Sequence, residues 1–410
     1  MASTPLAERP AHVPEDRVVA FDFYNPPNLE EGFQEAWKTL QAPGCPSLVW
    51  TPFNGGHWIA TRGPQITQVF SDFEHFSSRV VVVPKAVGEI HKMLPTTLDP
   101  PQHRPFRKLL NNNLSPVAVK RLEDKIRAAT IALVEQLEPL GECEFIADFA
   151  AQLPIQIFMH MVELPVEDAP KLKYWTDQVV KPNGEIPYDE ALSRYHAYLE
   201  PFVRERLGGS GTDVITDIIN RDVDGRPLTM PEILSLLTQL MMGGLDTVYN
   251  FIGYAFLFLA GSPDHRRQLI DEPSLIPGAV NELLRRFPLV SMAREIREDF
   301  EWDGVELRKG EMIVAPSPLV GVDERLNPDP LRVDFQRKGG EHATFGKGHH
   351  ICPGANLASL EMRIILAEWL KRIPDFDVKP GADIRYLGGI VGALSSLPLV
   401  WGQPQISKAE

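Results

Sequence analysis

From Ile233 to Ser262 the chain carries one charged residue, Asp246, in the middle of an otherwise apolar run. Such a run is either a membrane-spanning helix or the buried axis of a globular protein. Thr238, Gln239, Asp246, Thr247 and Asn250 lie mid-segment, and the flank, Pro231-Glu232, has no aromatic or basic anchor. A central helix over 232–261, stopped by Gly261 and Pro263, is therefore expected, with the rest of the chain wrapped round it. Inside it lies Gly243-Gly244-Leu245-Asp246-Thr247. Each glycine lowers helix stability by about 1 kcal/mol against Ala. A neighbouring Thr can bond back to a carbonyl and open the helix locally. That would make a groove with an acid and a hydroxyl facing a greasy interior. A packing notch with a solvated Asp accounts for the same residues equally well.

Hydrophobic residues are 43% of the 410, enough to bury a large core. The 37 prolines imply many short segments. A net charge of −14 argues against a nucleic-acid partner, which needs a basic field. Cys45, Cys143 and Cys352 are too few and too scattered for a disulfide framework, so a reducing, cytoplasmic location is expected. The opening MASTPLAERPAHVPEDR has no apolar signal region. Residues 1–15 are expected to be a flexible arm, 16–405 a single domain and 406–410 a tail.

Asn28, with Glu31 three residues on, marks a helix over 28–41 whose face is Leu29, Phe33, Trp37 and Leu40. Residues 48–63 read as a hairpin around Asn54-Gly55-Gly56. Helical spacing recurs over 118–138, through Leu122, Ile126, Leu133 and Leu137, then over 275–287 and 355–372. Residues 299–315 alternate around Asp303-Gly304 as short strands do. The fold class is mainly α with a small β portion.

The strongest local signal is Phe345-Gly346-Lys347-Gly348-His349-His350-Ile351-Cys352-Pro353-Gly354, directly before a helix. A helix start presents free N–H groups and a positive dipole end, both of which favour a thiolate. Gly346 and Gly348 permit a tight loop, and Gly354 permits close approach of something large beside the sulfur. A thiolate so held suits a haem iron. A small buried cysteine in a glycine-rich turn is the plainer alternative. Zinc on His349, His350 and Cys352 is a poorer fit, because adjacent histidines are expected to splay apart and no second ligand pair lies at zinc-finger spacing.

The helix bearing Gly-Gly-x-Asp-Thr comes first, then a helix with Glu282-Leu283-Leu284-Arg285, then the Phe-x-x-Gly-x-x-x-Cys-x-Gly loop. By themselves Glu282 and Arg285 read as a surface ion pair. In this order the three features resemble the cytochrome P450 superfamily. The segments AHVPED, YNPPNL, NGGHWIATRG, DPPQHRPFR, MGGLDTVYNF, ELLRRF, RIPDFDVKPGA and LPLVW resemble its bacterial camphor hydroxylase (camphor 5-monooxygenase) family. The similarity runs from about Ala11 to Trp401. It implies a single haem-thiolate domain with the triangular-prism P450 fold.

The resemblance further implies Cys352 as the axial ligand of the iron of haem b. It implies Thr247 hydrogen-bonding dioxygen or its water, and Asp246 feeding protons inward. Arg107, Arg294 and His350 match positions that hold the haem propionates, with His103 beside them. Glu282 and Arg285, with Arg332, would brace the cysteine side. The substrate pocket would be lined by Val82, His91, Thr96, Gln239, Leu240, Leu245, Val290, Met292, Ile390 and Val391. Its aliphatic walls suit a compact apolar molecule with one polar handle. His91 stands where the camphor hydroxylase has a ketone-binding tyrosine, Gln239 replaces an aliphatic residue, and Met292 replaces an acid. A larger terpenoid ketone, such as an ionone-type norisoprenoid, is therefore expected rather than camphor. Pro353 has no N–H to offer the Cys352 sulfur.

No Gly-x-Gly-x-x-Gly follows a strand, so electrons must come from outside. The resemblance implies a [2Fe–2S] ferredoxin with an NADH-dependent reductase. Arg104, Arg107, Lys108, Arg337, Lys338 and Lys347 would form the docking face, where Ser359 replaces an arginine. The expected protein is a cytoplasmic, monomeric monooxygenase that hydroxylates a small apolar substrate with O2, without nucleic acid or membrane. The rivals are a haem-binding sensor or carrier without turnover, and a camphor hydroxylase proper. Asp246 and Thr247 favour the enzyme, because a sensor needs no proton relay.

Overall fold

The apolar run forms two helices, Met230–Leu245 and Thr247–Ala260, which meet at Asp246. The computed structural model describes residues 6–90, 92–180 and 185–402. The helices that frame the centre are α1 (Phe33–Lys38), α2 (His103–Asn113), α3 (Glu123–Leu137), α4 (Gln152–Val162), α5 (Ala169–Val180), α6 (Tyr188–Arg206), α7 (Met230–Leu245), α8 (Thr247–Ala260), α9 (Ile276–Arg286) and α10 (Ala355–Arg372). The strands used below are β1 (Leu48–Thr51), β2 (His57–Ala60), β3 (Phe76–Ser77), β4 (Glu142–Glu144), β5 (Ser291–Ile296), β6 (Phe300–Trp302), β7 (Val305–Leu307), β8 (Met312–Pro316), β9 (Phe376–Val378) and β10 (Pro398–Trp401).

α7 starts on a capping box: the Thr229 N–H and hydroxyl both bond Glu232 Oε2, at 2.8 and 2.9 Å. It ends where the glycine pair weakens it. Asp246 leaves helical geometry (φ −126°, ψ −47°), and the Thr247 hydroxyl donates to the Gly243 carbonyl at 3.1 Å. This is the local opening that the Gly-Gly-x-Asp-Thr pattern suggested. Among the described residues no helix is long and apolar enough to cross a membrane. Phe256 of α8 packs on Phe145 and on Trp369 of α10, with ring centroids 4.3 and 5.2 Å away, tying the axis to the helix that follows Cys352.

One sheet has the order β1-β2-β8-β5-β3, and a second has the order β9-β10-β4. The β1–β2 hairpin pairs Leu48 with Ala60, as the Asn-Gly-Gly turn foretold. β5 pairs antiparallel with β8, Pro316 opposite Ser291. Alternation along β5 puts Met292 and Arg294 on one face.

Three expectations change. The helix over 28–41 is broken, because Gly32 sits at φ 137°, and Asn28, itself at φ 59°, makes no capping bond. The stretch 118–138 divides: Pro116–Lys120 is a separate short helix capped by Ser115, and α3 begins only at Glu123. Residues 7–13, inside the expected flexible arm, lie against the body. The Ala7 N–H bonds Pro52 O at 2.8 Å, and Val13 is fully buried.

Candidate active site

The Cys352 loop is held from within. Its N–H bonds the Phe345 carbonyl at 2.7 Å. Gly346 and Gly348 adopt φ of +71° and +68°, the left-handed backbone that side chains disfavour. A Cβ on Gly348 would also meet the Phe70 carbonyl at 2.8 Å. Burial pushes the Cys352 thiol up, while the N–H groups of Gly354 and Ala355 and the charge of Arg107 pull it down. Burial wins. The helix start favours a thiolate but does not secure one, which corrects the simplest expectation from sequence. A metal cation directly on the sulfur would secure it. Cys352 is nevertheless accessible, because it faces a cavity.

The facing wall is one stripe of the central helices: Gln239 and Gly243 on α7, then Thr247 and Phe251 on α8, spaced by four. Gly243 leaves open space where its Cβ would lie. Gly244 instead packs against the Phe158 ring, 2.4 Å from its would-be Cβ. Thr247 faces the cavity. Asp246 does not line it, contrary to the expected shared groove. Only 1% exposed, Asp246 accepts from Tyr249 Oη at 3.0 Å and Asn250 Nδ2 at 3.2 Å. Burial and the Asp246 charge hold the Tyr249 phenol above its ordinary range.

Of the expected pocket residues, Thr96, Gln239, Leu240, Val290 and Met292 line the cavity. Val82, Leu245, Ile390 and Val391 do not. Leu245 lies some 200° round the helix from Gly243 and is wholly buried. Val391 is occupied in a backbone bridge with Val290, Ile390 gives its carbonyl to the Ser291 N–H, and Val82 is buried. His91 lies outside the described residues. Sequence reasoning missed Phe158, Met161, Phe251 and Glu361, all in the wall. Glu361 is 2% exposed, its Oε2 has no hydrogen-bond partner, and burial raises its carboxyl to about 8. Its signal was present: it stands four residues after Leu357, on the apolar face of α10.

Arg294 is 3% exposed, its Nη1 bonds only the Ala293 carbonyl at 2.8 Å, and its Nε has no partner. It makes no ion pair among the described residues. Burial pushes it down to about 10, against the pull of the Asp99 charge. A guanidinium so placed in a cavity wall asks for an anion. Arg107, also in the wall, bonds Asn111 Oδ1 at 2.7 Å and the Ile351 carbonyl. His350 lines the cavity, and its Nε2 donates to the Leu98 carbonyl at 2.9 Å. Burial holds His350 far below its ordinary range. His103 is buried behind it, outside the wall, with neither ring nitrogen hydrogen-bonded. His349 and His350 do not splay apart: the tight turn over Gly348–His350 brings their centroids to 4.3 Å, and with Asp99 their ligand atoms lie within 4.8 Å of one another.

The Glu282–Arg285 pair is buried rather than superficial. Arg285 Nε and Nη2 bond the two Glu282 oxygens at 2.8 Å each. Arg285 also bonds the carbonyls of Gly321, Pro330 and Arg332. The third charged member is the Arg337 side chain, whose Nε reaches Glu282 Oε1 at 2.9 Å. Arg332 contributes its backbone, while its guanidinium is exposed beside Asp334. Arg337 therefore leaves the expected docking face and takes the bracing place assigned to Arg332. Burial pushes the Glu282 carboxyl up, but the hydrogen bonds from Arg285, the Asp334 N–H and Arg337 outweigh it.

The family description "Cytochrome P450" matches residues 187–385. "Probable cytochrome P450 127A1" of Sinorhizobium fredii is 31% identical over 400 residues, covering 96% of each chain. The chain belongs to the cytochrome P450 family. The crystal structure of CYP101J2 superposes on this P450 with a TM-score of 0.90 at 44% identity, covering 97% of this chain and all of that one. That of CYP101C1 gives 0.89 at 39%, with the same coverage. The chain is thus an oxygenase with the P450 fold, and the family's cofactor and co-substrate are haem and O2. The residues fit that group. Cys352 offers an accessible sulfur on a glycine-bounded loop, and Arg294 offers a buried cation without an ion-pair partner, suited to a haem carboxylate.

Proposed function

We propose that this P450 hydroxylates a small, mostly apolar terpenoid or ionone-like norisoprenoid. Cys352 and Thr247 both line one largely apolar cavity, and that pairing carries the reading. Cys352 would supply the sulfur ligand of haem b. Arg107 and Arg294 would hold the haem carboxylates, with His350 and His103 at that edge. Bound there, haem supplies the activation of O2 for insertion into a C–H bond. Leu240, Val290 and Met292 orient the substrate by shape. The Thr247 hydroxyl, whose proton is engaged by the Gly243 carbonyl, turns a lone pair toward the cavity and holds a water there. Asp246, held by Tyr249 and Asn250 one residue from that hydroxyl, would feed protons inward. Electrons come from a [2Fe–2S] ferredoxin and its NADH-dependent reductase. Arg104, Lys108, Lys338 and Lys347 form the docking face around Arg107, and the enzyme works as a cytoplasmic monomer.

The test is the absorption spectrum of the dithionite-reduced, CO-treated protein. A strongly red-shifted Soret band that disappears in Cys352→His is expected. A band typical of histidine-ligated haem in the wild type overturns the assignment. Ionone-type compounds should then shift the ferric spectrum from low to high spin; no shift with any of them sinks the substrate class.

A further inference from the structure

We infer that Gln239 selects substrates bearing a hydroxyl remote from the carbon to be oxidised, which narrows the substrate class to terpenoid alcohols over the matching ketones and hydrocarbons. This rests on the monooxygenase reading of the same cavity. Gln239 lines the cavity, and its Oε1 is buried without a hydrogen-bond partner. Buried polar atoms are nearly always bonded, so this oxygen awaits a donor. Leu240, Val290 and Met292, which share the cavity, carry no donor, and no protein donor, Thr96 included, bonds this oxygen. Thr238, also unpartnered and buried, lies one step round the helix and does not line the cavity.

Geometry sets the distance between the two ends. Gln239 and Thr247 both line the cavity eight residues apart, about two turns of chain with the Asp246 break just before Thr247. Gly243 lies between them with open space in place of a Cβ, so nothing on the helix obstructs a molecule lying along it. A ligand anchored at Gln239 therefore reaches the Thr247 end only if it is some two helical turns long, which an elongated norisoprenoid approaches better than a compact bicyclic one. A hydroxyl answers both ends of the amide: it donates to Oε1 and accepts from Nε2. A ketone accepts only, and leaves Oε1 unpaired. A hydrocarbon leaves both ends unpaired. A site built to hydrogen-bond a hydroxyl discriminates strongly against the analogue that lacks it.

The experiment titrates the ferric haem-loaded enzyme with β-ionol, β-ionone and the hydrocarbon lacking that oxygen, reading the low-to-high-spin shift. The wild type should bind the alcohol about tenfold more tightly than the hydrocarbon, as one hydrogen bond predicts, and several-fold more tightly than the ketone. In Gln239→Leu the alcohol should lose about that tenfold, while the hydrocarbon binds as well or better, which shows the pocket intact. Equal affinities in the wild type, or an alcohol preference that survives in Gln239→Leu, overturn the inference. A normal thiolate CO band alongside either result spares the monooxygenase reading; absence of that band sinks both.

Discussion

On the cysteine side of the cavity, Glu282 accepts from Arg285, Arg337 and the Asp334 N–H, and Arg285 spends its remaining donors on three carbonyls. On the helix side, α7 is interrupted, Gly243 faces open space, and Gln239 Oε1 has no partner. The first region is over-bonded and the second under-bonded. Beside the Cys352 loop, the Glu282–Arg285–Arg337 group is satisfied by the protein. Where substrate and protons come and go, polar groups are left for them to satisfy. Substitutions on the two sides should accordingly fail in different ways.

The largest contrast sets Glu282→Ala against Asp246→Asn. Removing Glu282 strands the Arg285 charge in the core, so unfolding free energy in denaturant should fall by about 3–5 kcal/mol, with haem lost early. Asp246→Asn should change stability far less, but lower turnover about 100-fold and raise the solvent isotope effect. Equal loss of stability in both variants would break the comparison. The adjacent glycines offer a finer test. Gly244→Ala drives a methyl into the Phe158 ring and should cost about 1–3 kcal/mol. Gly243→Ala should cost nothing, or stabilise α7 by up to about 1 kcal/mol, while weakening the substrate-induced spin shift.

Glu361 tests whether the cysteine side has an unsatisfied member. Its carboxyl is raised from 4.5 to about 8 by burial. Between those values the native state holds a proton that the unfolded chain releases, so stability falls as pH rises across that window. Glu361→Gln should flatten this loss, gaining several degrees in Tm at pH 8 relative to wild type and little at pH 4. The smallest effect is expected at Pro353. Pro353→Leu restores an N–H near the Cys352 sulfur, so the reduction potential should rise slightly; an unchanged or lower value counts against that role.

Sequence alone located α10 to the residue, because Gly354 and the terminal Lys371-Arg372 bound a clear apolar period. It also pointed to a local opening of the axis, although a packing notch with a solvated Asp accounted for the same two glycines and Thr equally well. It could not see that Glu282 and Arg285 are buried, since an i, i+3 pair looks the same on a surface. Nor could it assign Arg337 to that pair, a contact between residues 55 positions apart in the chain. The outward turn of Asp246 depends on the φ and ψ adopted at the break. The approach of His349 to His350 depends on a left-handed glycine, and neither has a local signature.

The strand β10 has a consequence for how the chain is made. It pairs on one side with β9 and on the other with β4, and Trp401 Nε1 bonds the Glu138 carbonyl 263 residues away at 2.9 Å. At translation rates of roughly 5–20 residues per second, β4 leaves the ribosome on the order of tens of seconds before its partner. Throughout that interval the nascent chain carries an unpaired strand edge, while the Cys352 loop emerges before the sheet can close. Until its partner emerges, that edge is open to wrong pairing.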